Sequence, residues 1–179
     1  MDVFRLLFAP AGYREIGLAK DQPRSILDLC NELDSPIPIQ QWQPPILRVY
    51  RPKRPEAAIP IFLGSAPVFS TSAYEKIRPH LEQWGEFLQC DSDHGNYFVY
   101  HITNNIRGLD FVRCRLSHFP GTTAIDTIQK WAFDPQSVGD SPIFRLTAYH
   151  TGVFVTTRFD EMMGEANLSG YRLEFLASM

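Results

Sequence analysis

Apolar residues recur along this chain with two different periods, and each change of period marks an element. Val3, Phe4, Leu6, Leu7 and Phe8 form a short apolar run closed by Pro10-Ala11-Gly12, which predicts a strand over residues 2–8. Ile26, Leu29, Cys30 and Leu33 then share one helical face. That spacing predicts a helix over 22–33 capped by Asp21, with Pro23 tolerated in its first turn. Residues 35–45 and 52–60 are proline-punctuated connectors on either side of a candidate strand at 46–50. Tyr74, Ile77, Leu81 and Trp84 restore the helical spacing. Ser72 with Glu75 fits a capping box for that helix, Pro79 predicts a kink, and Gly85 a stop.

Beyond Gly85 the pattern turns to aromatic and β-branched runs at 86–90, 97–102 and 109–116, which read as strands. Asp93-His94-Gly95-Asn96 is a turn signal that makes a hairpin of the first two. Residues 127–133, 143–146 and 153–156 are further strand candidates. Thr157 heads a helix to about Ala166 with Phe159, Met162, Met163 and Ala166 inward. Gly170, expected with positive φ, precedes a strand at 171–176. No internal repeat is legible. The order predicts an α+β fold: a single domain, mainly antiparallel sheet, with about three helices. Residues 1–60 read as an N-terminal segment that packs on the main domain or forms a small lobe, and 61–179 as the main α+β domain.

Composition narrows the function classes. At 179 residues the chain suits one domain, and 44% apolar with 13% aromatic residues excludes a disordered chain. The net charge of −3 leaves no basic footprint for nucleic acid. The one basic cluster, Arg48, Arg51, Lys53 and Arg54, lies in a proline-broken stretch that reads as a solvated loop. No run of about 18 apolar residues predicts a membrane span. Three cysteines do not make a disulfide framework, and MDVFRLLFAPAGYR lacks the basic start and cleavage site of a signal peptide. A cytoplasmic protein is expected.

No phosphate-cradling loop, nucleophile elbow or HExxH is present. The sharpest chemical pattern is Cys90-x3-His94 followed by Cys114-x3-His118, with His101 as a spare. Four such ligands would make a Cys2His2 zinc site, supporting a small zinc-binding module or a metal-dependent enzyme. Against it stand the absence of a CxxC knuckle and the location of both cysteines in predicted strands, where cysteine packs as a small hydrophobe. Glu82, Glu86, Asp91 and Asp93 form the densest acidic stretch, undiluted by Lys or Arg. They are the candidate surface for a basic protein partner. Asp160, Glu161 and Glu165 read as a solvated helix face, and Trp42, Tyr50 and Trp131 as candidate aromatic anchors.

Ala66-Pro-Val-Phe-Ser70, Ile77-Arg-Pro-His-Leu81, Gly85-Glu-Phe-Leu88, Tyr97 to Thr103, Gly108 to Arg113 and Ile143-Phe-Arg-Leu146 occur in an order, closed by VFVTTRFDEMMGEANLSGYRLEFL, that resembles a family of bacterial immunity proteins from polymorphic-toxin and contact-dependent competition systems. The resemblance spans about residues 61–176. It implies a cytoplasmic, non-enzymatic protein without cofactor, binding neither nucleic acid nor membrane. Its partner would be a cognate toxin domain encoded by a neighbouring gene, neutralised by occlusion of the toxin's active site. An adaptor subunit of a secretion system is the remaining alternative.

Overall fold

A computed structural model describes residues 1–179. Strands make up 41% and helices 18% of it, mostly in antiparallel sheets, so the fold is α+β. Four helices are present, of which three have seven residues or more.

The first sheet has six strands in the order β2 (Glu15–Leu18), β3 (Leu47–Tyr50), β6 (Gly85–Ser92), β7 (Gly95–Ile102), β5 (Ala66–Ser70) and β4 (Ile61–Leu63). The second has five, in the order β13 (Tyr171–Ser178), β1 (Asp2–Phe8), β12 (Tyr149–Thr156), β11 (Ile143–Leu146) and β8 (Asn105–Ile106). A separate ribbon pairs β9 (Arg115–His118) with β10 (Ile125–Lys130). Helices α2 (Thr71–Leu81) and α4 (Thr157–Glu165) share a core with both sheets: Ala73, Ile77 and Leu81 of α2 and Phe159, Met162 and Met163 of α4 meet Leu6, Phe69, Tyr100 and Val155. α1 (Ile26–Asp34) covers the other face of the first sheet through Leu29 and Leu33. The excursion over 107–134 covers the other face of the second sheet, with Leu109, Ile125, Ile128 and Phe133 packed on Val3, Phe144 and Phe154. The short α3 (Pro135–Val138) follows it, capped by Asp134.

The fold contains a repeat that the sequence pattern does not disclose. A hairpin (β4–β5, β11–β12), a helix (α2, α4) and a strand (β6, β13) occur twice in the same order. The helix starts Thr71 and Thr157, the strand starts Gly85 and Tyr171 and the strand ends Ser92 and Ser178 each stand 86 residues apart. In the first unit β7 lies between β5 and β6; in the second that slot is filled by β1. The register agrees too: Gly85 pairs with Ile102 and Gln89 with Phe98, as their counterparts Tyr171 and Phe175 pair with Phe8 and Phe4. Equivalent positions carry different side chains, Ala73 against Phe159 and Ile77 against Met163, and the completing strand comes from opposite sides of the unit in the chain. Residues 1–60 therefore contribute to both sheets, β1 centrally in one and β2–β3 at the margin of the other.

Several boundaries shift from their sequence-based positions, each for a local reason. α1 begins at Ile26 because the Ser25 side chain accepts from the Leu27 N–H. Ser70 rather than Ser72 caps α2, accepting from Ala73 N–H. Only residues 115–116 of the span 109–116 lie in a strand, and 111–113 form a turn, because the Asp110 carboxylate accepts the N–H groups of Val112 and Arg113 and bends the chain. Gly170 has φ +82°, and a Cβ there would stand 2.6 Å from the Ala57 Cα, so both backbone angle and space require glycine.

Phe159 is fully buried and meets Tyr171 edge-on at 6.1 Å. Phe159→Ala is expected to cost about 3–5 kcal/mol through the cavity it leaves. For a domain of this size that lowers the melting temperature by roughly 10 °C, which thermal denaturation followed by circular dichroism measures.

Candidate functional site

The acidic stretch does not form one surface. Side chains alternate along β6, so Glu86, Leu88 and Cys90 face α1 while Phe87, Gln89 and Asp91 face the opposite way. From Glu86 to Asp91 the strand also advances about 17 Å at its usual rise. Glu86 is spent inside the fold: its Oε1 accepts the Ile39 N–H at 2.7 Å and lies 2.8 Å from Nδ1 of His101, its cross-strand partner. Asp93 accepts the Val49 N–H at 3.0 Å and ties the β6–β7 turn to β3. Glu82 caps the end of α2 and pairs with Arg78 at 3.5 Å. Asp91 alone of the four is exposed without a backbone or ionic partner within reach beyond Gln89. The expectation of a shared acidic face over Glu82, Glu86, Asp91 and Asp93 is thus corrected: strand alternation divides it.

Nor does the structure assemble the Cys/His set. Cys90 is buried under α1, where burial pushes its thiol up to about 12, so it stays protonated and a poor ligand at neutral pH. Cys114 lies on the far side of the second sheet, its Sγ donating to the Ala132 carbonyl at 3.2 Å, and burial raises it as well. His94 and His118 are exposed on different elements, and His101 is fully buried. No three His, Cys, Asp or Glu side chains come together in a way that could hold a metal ion.

The aromatic anchors divide similarly. Trp42 is half-buried, donating Nε1–H to the Gln89 carbonyl at 2.7 Å beneath the Arg24 guanidinium. Trp131 stacks on Phe133 at 5.8 Å under Arg5. Tyr50 is exposed. Asp160, Glu161 and Glu165 are exposed, as the helix pattern requires, and Asp160 accepts the Tyr171 hydroxyl at 2.9 Å.

Two features escaped the sequence pattern. The first is a polar hub at the end of α1. Arg145, almost wholly buried on β11, donates to the carbonyls of Leu33 at 3.2 Å and Asp34 at 2.7 Å, placing a cation at the helix C-terminus. The next carbonyl, Ser35, is 2.6 Å from Nε2 of His101. A carbonyl only accepts, so Nε2 carries the hydrogen. The α1 terminus is therefore clamped by side chains from both sheets. No polar residue of this hub is near the others in sequence, so no local motif announces it.

The second feature is apolar and outward. Phe111 is 56% and Val112 95% exposed, at the tip of the Asp110 turn, and Phe119 is 51% exposed further along the excursion. The turn is held in shape: Asp110 pairs with Arg113, and those hydrogen bonds hold its carboxyl below the usual carboxylate range. Beside the tip a cavity of about 500 Å³ is lined by Ile106, Leu109, Phe111 and Leu146, with Arg107 at its margin. Arg107 is exposed, as are Arg113, next to Val112 in the turn, and Arg115 further along the excursion. The chain matches no family model and no curated protein. No helix is long and apolar enough to cross a membrane.

A fixed turn that presents Phe and Val to water is costly unless something covers it, since contiguous exposed apolar surface marks interaction sites. The single sequence signal for it is Asp110-Phe-Val-Arg113, where a turn-favouring acid precedes two apolar residues that the periodicity assigns to a strand.

Proposed function

We propose that this protein is an immunity protein, which binds a cognate bacterial toxin domain and occludes its active site. The observation that carries the binding part of this reading is the rigid Asp110 turn presenting Phe111 and Val112 beside the apolar cavity. Aromatic and apolar anchors inside a polar rim are what a tight protein interface needs. The toxin part rests on the ordered resemblance over residues 61–176, whose closing stretch, 153–176, runs from the second half of β12 through α4 into β13. With arginines at the margin of the patch, the complementary rim of the toxin is acidic.

Val112→Asp tests the contact surface. Its side chain is almost wholly exposed, so stability should change by less than about 0.5 kcal/mol. Placing a charge in the apolar centre should weaken the complex with the toxin encoded next door by at least about 100-fold, or roughly 3 kcal/mol. Titration calorimetry with the purified toxin domain measures it. Unchanged affinity would move the contact surface elsewhere.

A further inference from the structure

The repeat leaves one strand edge treated differently in its two copies. In the first unit the outer edge of β6 is covered: β3 pairs at Ser92, and the Trp42 indole donates to the Gln89 carbonyl. In the second unit the equivalent strand, β13, is the last of its sheet. Beyond its ladder with β1, no backbone group of residues 171–178 is hydrogen-bonded to any other part of residues 1–179. Its regular part, residues 171–175 before the bulge at Leu176, has no proline or lysine, two of the devices that keep exposed edges from pairing. Phe175, the counterpart of Gln89, is 57% exposed.

The sequence of this edge is complementary to itself. Set antiparallel to a second β13 about a two-fold axis through Leu173, it places Arg172 opposite the Glu174 of the other copy, Tyr171 opposite Phe175, and Leu173 opposite Leu173. Both charge pairs are attractive and both outer pairs aromatic, the combinations that stabilise neighbouring strands. A shift by one residue sets Glu174 against Leu173 or Tyr171 and loses them. Opposed residues in the symmetric register share parity, so their outward N–H and C=O groups meet together. Arg172 and Glu174 are exposed on one face, where Glu174 already pairs with Arg5 at 3.1 Å. The added arginine would extend that into an alternating Arg5–Glu174–Arg172 row.

We propose that the protein forms a symmetric dimer by pairing β13 with β13 of a second copy, joining two five-stranded sheets into one of ten. The symmetry is closed, so pairing stops at two copies.

Charge exchange tests both the partner and the register. Sedimentation equilibrium on the full chain across the micromolar range should give a dimer. R172E and E174R each create two like-charge pairs and should each weaken dimerisation by about tenfold or more. An equimolar mixture of R172E and E174R restores both attractive pairs, so it should dimerise like wild type, as should the double variant R172E/E174R. A wild type that is monomeric throughout, including one whose edge is covered only when another protein is added, overturns the proposal. So does a mixture that stays monomeric while wild type dimerises, which would put the dimer on another surface. Circular dichroism of each variant confirms that the monomer is folded, and the mixture arm uses the same two chains that fail singly.

Discussion

A protein lacking residues 1–8 is expected not to fold. β1 is not a terminal ornament: it pairs with β12 on one side and β13 on the other, and its removal opens the second sheet down its middle. Val3 and Leu6 are almost completely buried in two different cores, one on each face of the sheet. Their burial alone represents about 4 kcal/mol. The lost ladders and the newly wet faces of β12 and β13 add to it, against a total stability of about 5–15 kcal/mol for an ordinary domain. The first unit shows what β1 does, because β7 fills the equivalent place there. Since β1 occupies a slot between β12 and β13, a synthetic peptide of residues 1–10 should fold together with the truncated chain and restore near-ultraviolet circular dichroism. A truncated chain with a native spectrum and an unchanged melting temperature would contradict this assignment.

The second large effect concerns Glu86. Glu86→Lys is expected to cost about 3 kcal/mol, because it removes the acceptor for the Ile39 N–H and sets an ammonium against a buried imidazole. The partly exposed carboxylate keeps the figure below that of a fully buried pair. Glu86→Gln retains an acceptor and should cost about 1 kcal/mol. Asp91→Lys, on the opposite face of the same strand, should lie within about 0.5 kcal/mol of wild type. The double reversal should therefore behave as the Glu86 reversal alone. Chemical denaturation of the four variants measures this ordering, and equal effects of the two single reversals would contradict it.

How much of this was legible in the sequence depends on the range of the interactions involved. Runs such as 2–8, 143–146 and 171–176 and the Phe159/Met162/Met163 stripe are local patterns, and the structure places them as the patterns require. Glu86 shows where locality ends. Four acids without an intervening base look like one surface, but strand alternation and a histidine 15 residues away decide that one of them points inward. Arg145 is more remote still: its carbonyl partners lie 112 and 111 residues away, and an arginine between Phe144 and Leu146 gives no hint of a helix terminus. The repeat stayed hidden because only backbone length and register are kept between its halves. The exposed turn at Phe111 and Val112 was misread because two apolar residues beside Leu109 fit a strand until Asp110 is seen to accept the N–H groups of Val112 and Arg113.

Neutralisation by reversible binding, the function proposed above, predicts a toxin that can be recovered intact. The toxin domain that the proposed function expects in a neighbouring gene is mixed with the protein in equal amounts, its activity is assayed, and the complex is then separated under denaturing conditions and the toxin refolded alone. Inhibition should require stoichiometric protein, and the recovered toxin should regain full activity with unaltered mass. Inactivation by a small fraction of an equivalent, or a toxin that stays inactive and changed in mass after separation, would contradict the account.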